Sequence, residues 1–287
     1  MQGETKRTGL LFMVLAVCMF STSSVLIRWA APLNPLTITA GRMSLGSLAV
    51  IAVSLALKRT WQPPPRRDWP RYLLYGLITA GHFAFYIASL AYTTIAHSLS
   101  ITYTAPIWVT LFARLFLGEP FPRRKWPGVL ISIIGIGVLT GFEPSMDRRM
   151  LVGDLLALGA AICFGLYSVV GRSQREKAPL LTYTAAVYGV AGLWMAVPGW
   201  LAYQPGSLTW PAGLAVLGGS ILPLGIGHTL YNAALRRLHP TVVNVLATQE
   251  VLGGILLGVV LLGEVPGPSA AVGSIVAVGG VIWTLLR

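Results

Sequence analysis

Ten stretches of about twenty mostly apolar residues, separated by short turns, leave this chain few folds to choose from. They run approximately over 8–30, 36–57, 71–92, 97–117, 126–142, 152–172, 180–202, 211–235, 241–262 and 268–286. A helix rising 1.5 Å per residue crosses ~30 Å of hydrocarbon in about 20 residues. The turns are rich in Pro, Gly and Asn, as in "PLNP" and "QPGS". The longest connection, "KRTWQPPPRRDWPR", is a loop and no domain. With 55% hydrophobic and only 10% charged residues, the runs have little charge to turn toward water. The expected fold class is all-α: a polytopic membrane protein of ten transmembrane helices. Lys6 and Arg7 precede an apolar run too long for a signal core, with no A-x-A-like site after it, so this run reads as a retained span.

The net charge of +12 raises nucleic acid as a partner. The placement of the charge argues against it, because the basic residues cluster between apolar runs as cytoplasmic membrane loops do. With the N-terminus inside, the inner segments hold sixteen of the 21 lysines and arginines: Lys6 and Arg7; Lys58, Arg59, Arg66, Arg67 and Arg71; Arg123, Arg124 and Lys125; Arg172, Arg175 and Lys177; Arg236 and Arg237; and Arg287. The outer loops hold Arg148 and Arg149, with Arg28 near a border, while Arg42 and Arg114 fall within spans. Both termini are therefore expected in the cytoplasm of a bacterium, with the chain in its inner membrane. Cys18 and Cys163 lie inside apolar runs at equivalent places and read as packing residues.

The chain writes one corner twice. "LFLGEPFPRRKWPG" (Leu115–Gly128) returns as "VLLGEVPGPSAAVG" (Val260–Gly273), with L-G-E repeated at a spacing of 145. Arg123, Arg124 and Lys125 are replaced by Pro268, Ser269 and Ala270. "GHFAFYIASLAY" from Gly81 resembles "GHTLYNAALRR" from Gly227, and "RWAAPLNPLT" from Arg28 aligns with "GRSQREKAPLLT", pairing Arg28 with Arg172 and Pro35 with Pro179. Two related halves of five spans follow. An odd number of crossings makes the second half enter from the opposite face, so every aligned loop changes side. The charges obey this: loop 2–3 is basic and loop 7–8 is not, while neutral loop 3–4 has a mate carrying Arg236 and Arg237. Two inverted five-helix repeats are the architecture of secondary transporters, with the substrate site near the midplane between halves.

"FYIASLAYTTIAHSLSITYTAPIWVTLFARLFLGE" and "LYNAALRRLHPTVVNVLATQEVLGGILLGVVLLGE" resemble the fourth-helix region of the EamA-type repeat of the drug/metabolite transporter superfamily. The pattern is F/L-Y before an A-L pair, a small-residue helix, and L-G-E at its end. The resemblance covers nearly the whole chain. It implies one repeat over 8–142 and a second over 151–287, and a ten-helix exporter of metabolites, similar in layout to the family's amino-acid exporters, including those of aromatic amino acids. The chain departs from the family's second-half E-P by reading Glu250-Val251, whereas the first half reads Ala105-Pro106.

Enzyme motifs are missing from the sequence. No Gly precedes any lysine, so G-x-x-x-x-G-K and with it ATP drive are absent; H-E-x-x-H and G-x-S-x-G are absent too. No catalytic residue, metal or cofactor is expected. Intramembrane ionisable residues are costly and mark function by default. Glu250 lies ~14 Å into span 9 and Arg42 ~9 Å into span 2; the two are candidates for proton coupling, for holding a substrate, or for a structural ion pair. His82 and His228 follow glycine at matching places in spans 3 and 8, and Tyr86, Tyr231 and Asn232 share their helical faces. Pro223 predicts a kink or local unwinding of span 8, and Pro106 one of span 4. Span 4 adds Tyr103, Thr104 and Trp108, and span 9 adds Asn244, Thr248 and Gln249 beside Glu250. Tyr86, Tyr103, Trp108, Tyr167, Tyr183 and Trp194 are candidates to wall an aromatic pocket. Glu119 and Glu264 read as parts of the repeated corner, His97 and His239 as loop residues at span starts. Gly137–Gly141 and Gly254–Gly258 form GxxxG steps for close helix approach.

The reading that unites these features is an exporter of amino acids, aromatic and neutral ones included, and related small metabolites, with lipid as its surround. It works by alternating access between the inverted repeats, secondary-active or facilitative. Proton-coupled efflux of cationic drugs or dyes through Glu250 is the alternative. A non-transporting scaffold or an intramembrane enzyme is the alternative of another class. In a Cys18→Ser/Cys163→Ser background, an impermeant thiol reagent on intact cells should label Ser269→Cys and spare Arg124→Cys; equal labelling would remove the inverted topology.

Overall fold

The structure, a computed structural model, describes residues 2–57, 62–92, 98, 101–140, 148–262 and 268–287. Gly263 and Glu264 of the second L-G-E, His97, Gly141, Lys58 and Arg59 lie outside them. Among the described residues the chain is helical and without strands. Span 1 is α1 (Gln2–Phe20) and α2 (Ser23–Trp29), and spans 2 and 3 are α3 (Pro35–Ala56) and α4 (Trp69–Ser89). Span 4 ends in α5 (Ala105–Leu117), and span 5 is α6 (Trp126–Thr140). Spans 6 and 7 are α7 (Arg148–Ser173) and α8 (Leu180–Leu201). Span 8 runs from α9 (Trp210–Gly219) through a π-helical stretch, Ser220–His228, into α10 (Thr229–Leu235). Span 9 is α11 (Pro240–Ala247) and α12 (Glu250–Leu262), and span 10 is α13 (Pro268–Leu286). Seven spans are long and apolar enough to cross a bilayer by length and composition, and the shorter α5, α6 and α13 complete ten.

The turn chemistry explains the helix ends. Asn34 accepts from the Leu36 amide at 3.0 Å and Pro35 opens α3; Thr209 accepts from Ala212 and Pro211 follows it into α9. Side-chain caps of this kind satisfy backbone donors a helix start leaves open, and proline gives up no bond there. Gly118 ends α5 at φ +65°, a left-handed cap that a side chain resists. Outward faces are apolar: Trp210, Leu286, Val260 and Ile275 are all more than 70% exposed. Water tolerates no such surface at this density. The interior instead holds tyrosines, with Tyr167, Tyr183, Tyr188 and Tyr231 fully buried.

Helix pairing displays the inverted symmetry directly. In the pair α3 and α8, Thr37 donates to the Gly199 carbonyl at 2.9 Å and Ser47 to the Ala185 carbonyl at 2.8 Å, so the two run antiparallel. Thr110 on α5 meets Thr241 on α11 at 2.9 Å. These are spans 2 with 7 and 4 with 9, repeat mates in each case. Spans 3 and 6 pair through Gly81 against Cys163 and Phe85 against Gly159. Their symmetry equivalent, spans 8 and 1, pairs through Gly227 against Phe20 and Leu238 against Gly9. The seam of α6 and α13 repeats contact by contact at a shift of 145: Gly128 faces Thr284 as Leu139 faces Gly273, and Gly135 faces Ala277 as Ser132 faces Gly280.

In that seam the close approach falls on glycines other than Gly137, while Gly254 of the second GxxxG step lies against Ser24. Nothing stands within 4 Å of a Cβ placed on Gly137, while one on Gly135 would collide with the Ala277 backbone nitrogen and one on Gly280 with that of Ser132. The working spacing is seven, Gly128 and Gly135 against Gly273 and Gly280. Gly135→Ala and Gly280→Ala should each lower unfolding stability by about 1–3 kcal/mol, the usual cost of overpacking, in a detergent melt; Gly137→Ala should leave it unchanged or slightly raised.

Candidate functional site

Breaks in the helices decide where the polar chemistry sits. Spans 4 and 9 turn out of helix at Tyr103–Thr104 and Thr248–Gln249, 145 residues apart, and span 1 does so at Ser21–Thr22. At each break a threonine hydroxyl bonds the carbonyl three residues back: Thr22 to Met19, Thr104 to Ile101 and Thr248 to Val245, all at 2.7 Å. In hydrocarbon an unmet carbonyl costs several kcal/mol, so hydroxyls at breaks have structural work. Span 8 winds wider around Pro223, as a π-helix over Ser220–His228.

The breaks meet at one cavity of about 40 Å³. Phe20 and Ser23 flank the break in span 1, Thr102 and Tyr103 that in span 4, Pro223 and His228 belong to the π-helical stretch, and Glu250 is the first residue after the break in span 9. Unbroken helices add Arg42 from α3, His82, Phe83 and Tyr86 from α4, and Phe164 from α7. Thr102 points a hydroxyl with no protein partner among the described residues.

Arg42 is 2% exposed, and only its Nη2 is engaged, donating to Ser23 Oγ at 3.3 Å. Its Nε and Nη1 have no protein partner among the described residues, and the guanidinium lies 5.6 Å from the Phe83 ring centroid. Glu250 accepts from the Tyr103 hydroxyl. Arg42 and Glu250 feel each other's charge across the cavity yet form no ion pair. A buried charge with open donors is destabilising unless something else meets it. The arrangement thus presents a basic and an acidic side chain to one small space, the basic one with donors to spare.

The two histidines face the same cavity in different states. His82 donates from Nδ1 to the Ala160 carbonyl at 3.0 Å and stacks on Phe164 with centroids 4.5 Å apart. His228 lies 4.5 Å from Phe20 and 5.0 Å from Phe83, ring to ring, and its Nδ1 has no protein partner among the described residues. Behind them a hydroxyl network closes the floor. Tyr231 joins Ser168 at 2.6 Å and accepts from Asn244 at 3.0 Å; Asn232 donates to the Tyr167 hydroxyl and to the His228 carbonyl.

The structure therefore gathers Arg42, His82, Tyr86, Tyr103, Pro223, His228 and Glu250 on the cavity wall, and sets Tyr231, Asn232 and Asn244 one layer behind it. Thr104 and Thr248 are engaged with their own helices, and Gln249 donates to Thr248 Oγ1 at 3.2 Å. Trp108 packs between α5 and α7, against Gly165 and Phe112. Pro106 stands at the start of α5 just past its break. Of the proposed aromatic walls, Tyr167 lies beneath the cavity, Tyr183 is buried away from it, and Trp194 faces outward, donating to the Leu73 carbonyl. Phe20, Ser23, Phe83, Thr102 and Phe164 were not singled out from sequence. The run "STSS" after Phe20 was the available signal for a break in span 1.

At the basic end Glu119 ties the halves together. It accepts from Arg175 at 2.6 Å and Arg172 at 3.1 Å, and Arg172 reaches on to the Leu235 carbonyl. Partial burial alone would raise this carboxylate's pKa; the hydrogen bonds from Arg175 and Arg172 outweigh it and hold it below the usual range. His239 accepts from the Thr241 amide at Nδ1, capping α11, which leaves Nε2–H to donate to the Glu119 carbonyl at 3.3 Å.

Residues 7–141 and 151–286 each match the EamA-like transporter family. The chain belongs to the EamA-like transporter family. Among similar proteins, the threonine/homoserine exporter RhtA of Salmonella typhimurium is 29% identical over 281 residues, 92% of this chain and 88% of the relative. The pseudopaline exporter CntI of Pseudomonas aeruginosa is 28% identical over 160 residues, 54% of this chain and 55% of that one. A solved crystal structure shares the fold, with a TM-score of 0.85 over 98% of this chain and 97% of the other at 23% identity. This EamA-like transporter is a multi-pass membrane protein. If its Arg42 serves a ligand and not the fold, Arg42→Met should keep or raise the melting temperature, since it removes an unsatisfied buried charge. Tyr231→Phe should lower stability by about 1–3 kcal/mol by stripping Ser168 and Asn244 of their shared partner.

Proposed function

We propose that this chain exports amino acids and related small metabolites across a bacterial inner membrane by alternating access, with both termini cytoplasmic. The observation that carries the reading is the buried Arg42 and the half-buried Glu250 facing one cavity at the meeting of the broken helices. A zwitterion offers a carboxylate to Arg42, whose Nε and Nη1 have no protein partner among the described residues, and an ammonium to Glu250. Phe20, Phe83, Phe164 and Tyr103 offer ring faces to the remaining side chain. The names of RhtA and CntI, exporters of threonine and homoserine and of pseudopaline, support amino-acid-like substrates. A cavity of about 40 Å³ holds a water or two, so an amino acid enters only as the walls part. On this reading the Glu119–Arg172–Arg175 cluster closes the cytoplasmic end while they do.

Cationic drug or dye efflux coupled through Glu250 is the second reading. Glu250 amid aromatic rings favours it, and the unneutralised guanidinium facing the same cavity opposes a cation there. Reconstituted in liposomes, the protein should exchange threonine, homoserine or another neutral amino acid above empty vesicles. Amino-acid amides, lacking the carboxylate, and N-acetyl amino acids, lacking the ammonium, should fail to compete. Arg42→Gln should cut the flux at least tenfold. Dye efflux that survives Arg42→Gln and disappears in Glu250→Gln would turn the assignment to the second reading.

A further inference from the structure

A second hollow opens at the basic end, between the start of α1, the end of α13 and the turn from α10 to α11. Its volume is about 520 Å³, and its polar lining is Thr5, Lys6, Lys125, Arg237 and His239, with no carboxylate among the lining residues. Lys125 donates to the Thr284 carbonyl at 3.0 Å, and burial together with the neighbouring Lys6 charge pushes its pKa below the ordinary lysine value. Arg237 donates to the Ala233 carbonyl and lies 4.8 Å from the Phe12 ring centroid. Glu119, whose backbone carbonyl accepts from His239, has its carboxylate engaged by Arg172 and Arg175. Cations are thus drawn together with no carboxylate among the residues that line the hollow.

The remaining lining is apolar: Leu10, Leu238, Val242 and Leu285. Beside it Leu11, Val14 and Leu286 stand exposed on α1 and α13. A cationic floor continuous with apolar helix faces matches an amphiphile with a phosphate at its head. We propose that this hollow binds the headgroup of an anionic phospholipid, its phosphodiester between Lys125, Arg237 and Lys6 and its acyl chains along α1 and α13. Basic pockets between spans at the cytoplasmic surface recognise such headgroups through charge and apolar contact together.

The test is lipid retention and melting of purified protein in a neutral detergent, with phosphatidylglycerol, phosphatidylcholine or inorganic phosphate added. Phosphatidylglycerol should bind at least tenfold more tightly than phosphatidylcholine and raise the melting temperature; binding should weaken with salt and fall at least tenfold in Lys125→Gln/Arg237→Gln. Lys177→Gln, at the same end but outside the hollow, should bind as the parent does. Equal binding of the two lipids, salt-insensitive binding by the unaltered protein, or equal stabilisation by phosphate alone would each overturn the proposal.

Discussion

Backbone polarity in a medium without water is the constraint from which the rest follows. A helix in hydrocarbon meets all its own hydrogen bonds, and a broken helix does not. Here the breaks at Ser21–Thr22, Tyr103–Thr104 and Thr248–Gln249 fall at buried or half-buried residues, and the π-helical Ser220–His228 stretch turns Pro223 and His228 inward. At each simple break a threonine hydroxyl bonds the carbonyl three residues back. Around the cavity where these breaks meet, Arg42 and His228 keep nitrogens without a protein partner among the described residues. Polar capacity of this kind is costly, and its convergence on one point is the physical argument for a ligand there.

Symmetry builds the shell, and its loss supplies the chemistry. The α6–α13 seam repeats contact for contact across the two halves, and the breaks in spans 4 and 9 fall at equivalent residues. Yet Glu250 answers to Ala105 in the other half, and Arg42, by the pairing of Pro35 with Pro179, to Ala186. Both ions occur once. A fully symmetric cavity would present each charge twice; the asymmetric one presents one of each, the pattern a zwitterion requires.

Ten spans, the inverted charges and the helix irregularity at Pro223 are legible in the sequence because composition and proline act locally. The pairing of His82 with His228 at one cavity was legible through the repeat. The division between wall and floor was not. Asn244, Asn232 and Tyr231 have the residue types of a binding site, and partners on other helices, Ser168 and Tyr167, engage them instead. Trp194 illustrates the same gap from outside. In a helix apolar all round, periodicity does not tell the bundle face from the lipid face, so its ring, read as a pocket wall, faces outward. Phe20, Phe83 and Phe164 were hidden for the converse reason, being ordinary apolar residues until three helices bring them together.

The same contrast bears on how such a frame moves. Between α6 and α13 the glycines set backbone against backbone, with no side chain free to repack, so that crossing resists sliding or parting. At the basic end the halves are held by Glu119 against Arg172 and Arg175, side chains that remain 14–34% exposed. Ion pairs this near to water contribute about 1 kcal/mol or less apiece. The two attachments differ in kind: one is a packed seam whose separation opens voids, the other a set of ionic contacts that thermal motion breaks and remakes. On the proposed mechanism the halves therefore pivot about the glycine seam. The ionic end opens, and the energy needed to part the aromatic walls comes from satisfying Arg42, whose Nε and Nη1 have no protein partner among the described residues.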